Sequence, residues 1–335
     1  MDYLLYLVAR ALLAVVQALP LVWVARFGRG IGALAHRLDG RHRRMAIANL
    51  TKCLGEDKSP TEIAAIAKEN FRRIGENFAC SAKTASLRLD RMKERLEVVG
   101  LENVAPPGTE GQPLSRIFAL GHLGNFEVFA HAVKWLPWCR GATTYRGLDS
   151  PGLNRLLLGM RQSQDVLFFE RRRDGAALRA ALRDQPLLLG LFCDQHAGDN
   201  GLRLPFFGRE CSVSKAPAVF ALRFNLPLHM ALCYRTGLAR WRIEVSPAIP
   251  NTHADGTPRT AAEMMLEVNR AFEAAIRRDP ANWFWVHNRW KPASPRALSR
   301  AAAAAAAEEE DGEFAPGETS PPEATSVPRH GSTPN

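Results

Sequence analysis

His122 and Glu127 lie in the run Ala-Leu-Gly-His-Leu-Gly-Asn-Phe-Glu, residues 119–127. A histidine can take up a proton near neutral pH, and a carboxylate on one ring nitrogen fixes its tautomer and stabilises the imidazolium. On a continuous helix five residues turn through about 500°, which leaves the two side chains roughly 140° apart. They meet only if His122 stands in a turn and a helix starts near Asn125, a path that Gly121 and Gly124 allow. Glu127 is then expected to reach back to one ring nitrogen while the other takes a proton. The first turn of that helix also offers backbone N–H groups to an anion. Gly-x-Ser-x-Gly is absent, and no other serine or cysteine nucleophile stands in a recognisable motif. The expected chemistry is therefore deprotonation of a substrate hydroxyl by His122. That hydroxyl attacks an activated acyl group directly, without an acyl-enzyme.

More polar residues follow apolar, strand-like runs. Arg146 comes after Ala142–Tyr145, and Glu170, Arg171, Arg172 and Arg173 come after 166–169. Asp194, Gln195 and His196 come after 187–193. Ligands of open α/β sheets bind beyond the carboxyl ends of the strands, so these runs would bring His, Arg and Asp to one rim. The arginines could clamp a phosphorylated acceptor, a phosphopantetheine arm or a developing oxyanion. Asp194 either holds an arginine of the site or caps the following segment. Glu127 and His131 are four apart with His122 nearby, but the spacing is not H-E-x-x-H. No metal is expected, and His131 reads as structural. Cys193 reads as a buried strand cysteine rather than a nucleophile.

The elements that must position these groups follow from periodicity. Residues 45–95 read as helical, with Ser59-Pro60-Thr61-Glu62 as a helix start and Ile63, Ile66, Ala67, Phe71 and Ile74 on one face. From Ile117 short apolar runs alternate with amphipathic stretches over 126–135, 151–163, 174–183 and 215–223. That alternation predicts an α/β fold with a mixed, mostly parallel central sheet flanked by helices. Runs at 228–234 and 241–245, joined by Arg-Thr-Gly-Leu, predict an antiparallel hairpin at one edge. A further helix spans 263–277 and stops at Asp279-Pro280.

Residues 3–27 are rich in Leu, Val and Ala, but the longest charge-free stretch, Ala11 to Ala25, has 15 residues. A spanning helix wants about 20. The segment thus falls between a short span and an interfacial, membrane-associated helix, with a signal peptide as a weaker option. The basic run Arg41, His42, Arg43, Arg44 suits the anionic cytoplasmic face of a membrane.

The chain of 335 residues carries +10, but residues 1–300 carry +16 and the last 35 carry −6. A body this basic suits anionic partners. Nucleic acid is not expected among them, because the aromatic residues are not interleaved with the basic runs as a stacking platform requires. The six cysteines show no metal-binding or paired spacing and read as reduced core residues. Three regions follow: residues 1–40 as the apolar membrane-associated segment, 41–298 as the α/β domain, and 299–335 as a low-complexity acidic tail expected to be disordered.

At these residues the chain resembles the bacterial lipid A biosynthesis acyltransferases, the lauroyl and myristoyl transferase group. They belong to the glycerolipid acyltransferase superfamily marked by His-x4-Asp/Glu. The resemblance rests on Gly-His-Leu-Gly-Asn-Phe-Glu, Tyr145-Arg146, Arg171-Arg172-Arg173-Asp174, Asp194-Gln195, the run Leu204-Pro205-Phe206-Phe207-Gly208, and Trp285-Val286-His287-Asn288-Arg289-Trp290-Lys291. It covers about residues 3–292. It implies acyl transfer from acyl carrier protein or acyl-CoA to a hydroxyl of a membrane glycolipid at the cytoplasmic face of the inner membrane. His122 becomes the base and Glu127 its partner, and Arg172 and Asp194 are carried over as further site residues. Arg146, Arg171 and Gln195 join them as expected substrate-binding residues. No cofactor is implied, since the acyl-ACP or acyl-CoA is a co-substrate. The alternatives are another phospholipid or glycolipid acceptor, or hydrolysis of the lipid or thioester.

Overall fold

The structure is a computed structural model that describes residues 2–162, 166–292, 294, 295 and 299. Residues 1–292 form one compact unit. The expected disordered tail lies almost wholly outside the described residues.

Five helices lead the chain: α1 (Asp2–Ala18), α2 (Leu21–Leu38), α3 (Gly40–Leu54), α4 (Pro60–Thr84) and α5 (Leu89–Lys93). Pro20 stands at the break between α1 and α2, where its ring and missing N–H interrupt helical hydrogen bonding. The apolar N-terminal run is thus two helices, and among the described residues no helix is long and apolar enough to cross a membrane. α2 buries Leu21, Val24, Ala25, Gly28 and Gly32. It lies so close to α4 that a Cβ on Gly75 would run into the Gly28 carbonyl. Its opposite face is also apolar: Trp23, Phe27, Ile31, Leu34 and Leu38 recur at helical spacing and are exposed. α4 begins at the expected place with a full capping box between Ser59 and Glu62.

The sheet follows as β1 (Leu96–Val99), β2 (Arg116–Leu120), α6 (Phe129–Ala132), β3 (Gly141–Tyr145), α7 (Pro151–Gln162), β4 (Val166–Glu170), α8 (Gly175–Asp184) and β5 (Leu188–Phe192). After it come β6 (Leu202–Phe206), β7 (Arg209–Val213), α9 (Ala216–Phe224), β8 (Leu228–Gly237), β9 (Arg240–Val245) and α10 (Ala261–Arg278). The strand order is β1-β9-β8-β2-β5-β3-β4, and every neighbouring pair is parallel except β8–β9. The expected mixed, mostly parallel sheet is present. The β8–β9 hairpin is antiparallel as expected but does not form an edge, because the short strand β1 pairs outside β9. A separate β6–β7 hairpin had no periodic signal.

The period-two alternation along the central strands sorts residues into two cores. Ile117, Ala119, Leu189 and Leu191 face a core shared with α8, α9 and α10. Leu120, Leu188, Ala231, Ile243 and Val245 face the other, beneath the broken helical segment 126–136. In that second layer the packing is incomplete and leaves a cavity.

Candidate active site

Strand β2 pairs β5 in parallel with Leu120 opposite Phe192. His122 and Asp194 each stand two residues beyond that pair, so two neighbouring strands, about 4.8 Å apart, deliver them side by side. His122 Nδ1 lies 2.8 Å from Asp194 Oδ1, and the His122 backbone N–H donates to Asp194 Oδ2 at 2.7 Å. The Trp283 indole N–H donates to the same Oδ2 at 2.8 Å.

Asp194 is fully enclosed. Burial opposes its charge, but the His122 and Trp283 interactions outweigh burial and hold the carboxyl below its ordinary range. An ionised Asp194 only accepts hydrogen bonds, so the ring proton stands on Nδ1 and the Nε2 lone pair is left for a substrate. The ring sits between Phe126 and Phe192, with centroids at 4.9 and 4.8 Å.

This arrangement corrects the expected pairing. Glu127 does not hold the imidazole; it pairs with Arg161 of α7, with Nη2–Oε1 at 2.5 Å and Nε–Oε2 at 3.3 Å. The turn itself is as expected. Gly124 takes φ +63°, and a Cβ on Gly121 would strike the Phe272 ring. However, Phe126–Val128 is a short 3-10 helix starting after Asn125. The carboxylate that reaches the ring comes from a neighbouring strand end, not from the next turn of the same segment.

His122 forms part of the wall of a cavity of about 680 Å³, within the usual range for small-molecule sites. All seven strands of the main sheet contribute to the lining, and His122 stands beyond β2, the middle strand in the sheet order. The two arms differ in chemistry. Toward β1 the wall is Val98, Leu101, Val104, Leu136, Ala231, Ile243 and Val245, with no polar side chain. Toward β4 it carries Glu127, Thr143, Thr144, Tyr145, Arg146, Arg161 and Arg171. One arm suits a hydrocarbon chain and the other a polar, anionic group.

A family model described as bacterial lipid A biosynthesis acyltransferase matches residues 1–292, the whole of the compact unit. The chain belongs to that family. It is an acyltransferase enzyme of lipid A biosynthesis. No curated protein matches it.

In this acyltransferase the remaining site residues fall on both sides of the cavity wall. Arg146, Arg171, Gln195 and His196 line it. Arg172 is not among the lining residues; it is exposed, and its backbone N–H donates to Glu170 at 2.9 Å. Asp194 stands behind His122 rather than in the wall. Arg289, fully buried, donates to the carbonyls of Gln195 at 2.6 Å and Ser212 at 2.7 Å, which fixes the chain just after Asp194. His131 is buried, and that burial lowers it to about 4. Cys193 is buried, and burial pushes its thiol far up, away from the thiolate form a nucleophile needs. Among the described residues no group of three or more His, Cys, Asp or Glu could hold a metal ion, and all six cysteines are free.

Sequence reasoning missed Arg161 and Trp283. Arg161 lies on the expected amphipathic helix with nothing to mark it. Trp283 lies two residues before the closing Trp285–Lys291 block and 89 residues from Asp194.

Proposed function

We propose that the protein transfers a fatty acyl chain from acyl carrier protein, or from acyl-CoA, to a hydroxyl of a lipid A precursor, with His122 as general base. The observation that carries this reading is the His122–Asp194 pair set beside a cavity with one apolar arm and one arginine-bearing arm. The acyl chain lies in the apolar arm, and the thioester carbon sits beside the ring. The phosphate of the donor's carrier arm, or of the acceptor, meets Arg146, Arg161 and Arg171.

Nε2 takes the proton as the acceptor oxygen attacks the carbonyl carbon. The C–O bond forms, the C–S bond breaks, and the proton passes from the ring to the leaving thiolate. Asp194 stabilises the imidazolium in between, as the acid of a hydrolase triad does. The missing nucleophile of the triad is the acceptor itself.

The exposed apolar faces of α1 and α2, followed by Arg41, Arg43 and Arg44, support attachment to an anionic membrane surface, which we take to be the cytoplasmic face of the inner membrane. The acidic acyl carrier protein finds its complement in the basic body.

The test is mass spectrometry of lipid products after incubation with acyl-ACP and a lipid A precursor. Wild type adds one acyl ester, and His122→Ala adds none while remaining folded. Near-normal transfer by His122→Ala would refute the base. Free fatty acid released at the same rate with and without acceptor would replace transfer by hydrolysis.

A further inference from the structure

Three donors hold the Asp194 carboxylate: the His122 ring on Oδ1, and the His122 N–H and the Trp283 indole N–H on Oδ2. Two of the three come from the base itself. The third comes from a distant loop and has no role in the reaction as described above. Trp283 is almost fully buried. Asn70 donates to its carbonyl at 2.5 Å, and it forms a bridge to Leu123, the residue after the base. The Trp285 ring packs edge-on against it at 4.7 Å. Backbone, ring and N–H of Trp283 are therefore all fixed relative to the His122 turn.

We propose that Trp283 is a positioning residue of the acyl transfer: its indole N–H locks the Asp194 carboxylate in the rotamer that meets His122 Nδ1 and sets how strongly that carboxylate holds the ring proton. The inference rests on His122 acting as the base. Every hydrogen bond donated to a carboxylate spreads its charge and makes it a weaker acceptor for its other partners. With the indole N–H removed, Asp194 pulls harder on the Nδ1 proton and favours the imidazolium. The free base then appears only at higher pH. Other charged or titratable groups around the pair are His287 and Arg289 on the closing loop, His196 after β5, and Cys193 beside Asp194. His287 Nε2 already accepts the His196 backbone N–H at 3.0 Å. None of these contacts involves the indole N–H, so none should change when it is removed.

The test compares the pH dependence of kcat/KM in wild type and Trp283→Phe. The acid limb should move up by about one pH unit, with the plateau about tenfold lower. Trp285→Phe is the packing control: it loses an indole N–H to the Pro280 carbonyl in the same aromatic cluster and does not touch Asp194. It should lower Tm and leave the limb in place.

If Trp283→Phe does not fold, benzothienylalanine at position 283 keeps the ring shape and removes only the N–H. An unmoved limb in a folded variant, or the same shift in Trp285→Phe, overturns the proposal. The Nδ1–H proton resonance of His122 gives a readout independent of turnover and should move downfield without the indole N–H. If wild type transfers no acyl group, the proposed function fails, and this resonance alone then decides the role of Trp283; no movement refutes it.

Discussion

Glu127 and Arg161 close a two-point ion pair across the polar arm of the cavity, joining the segment after His122 to helix α7. The pair is mostly but not fully shielded, at 27% and 19% side-chain exposure, so it is both held and reachable by a substrate. Its role on this account is to aim Arg161 at the anionic group of a substrate, not to tune the imidazole. Glu127→Gln and Arg161→Ala should each reduce kcat/KM by about ten- to a hundredfold, chiefly through KM. A double-mutant cycle should show coupling on the order of 1 kcal/mol. Strict additivity would mean that the two residues act separately.

Ala231 sits on β8 in the apolar arm, between Leu120 of β2 and Val245 of β9. A larger side chain there takes up space that the arm offers to a hydrocarbon chain. Ala231→Leu should shift the preferred donor to a shorter acyl chain, measured as transfer rates over a series of chain lengths. Overpacking should cost about 1–3 kcal/mol in stability. An unchanged length preference would place the chain elsewhere.

The outward face of α2 should bind lipid without contributing to the fold. Trp23 and Phe27 are 62% and 66% exposed. Trp23→Asp with Phe27→Asp should lower binding to anionic vesicles in sedimentation by at least about tenfold while Tm changes little, since surface substitutions usually fall within about 0.5 kcal/mol. Undiminished vesicle binding would exclude this face.

His131 gives a stability signature. Burial holds it neutral down to about 4, whereas in the unfolded chain it takes a proton near 6.5. Between those values the unfolded state binds more protons, so stability falls as pH drops through that window and levels off below it. The loss amounts to about 3 kcal/mol. Denaturant titrations should show a flatter profile for His131→Phe over pH 6.5 to 4; an identical slope would contradict the assignment.

Much of this was legible in the sequence. The alternation from Ile117 onward gave most of the main sheet, because each strand is a short apolar run bounded by polar or helical sequence. The rule that ligands gather beyond strand ends brought His122, Arg146, Arg171 and Gln195 to one cavity wall. What the sequence did not reveal is register. Nothing local says that Leu120 lies opposite Phe192, and that pairing is what makes Asp194 the partner of His122 in place of the nearer Glu127. Trp283 and Arg161 were hidden for the same reason, since their contacts arise only when distant segments pack together. β1 was missed because its four residues are too few to show a period.

In the proposed reaction Asp194 holds His122 in the tautomer that leaves Nε2 basic. Asp194→Asn tests it most directly, because an amide donating to Nδ1 moves the ring proton to Nε2 and removes the base. The initial rate of acyl transfer from acyl-ACP to a lipid A precursor should fall by about 10³–10⁴-fold, as when the acid of a hydrolase triad is replaced by its amide. Glu127→Gln, measured alongside, should retain far more activity. A rate for Asp194→Asn within tenfold of wild type would show that transfer does not depend on the Asp194 carboxylate.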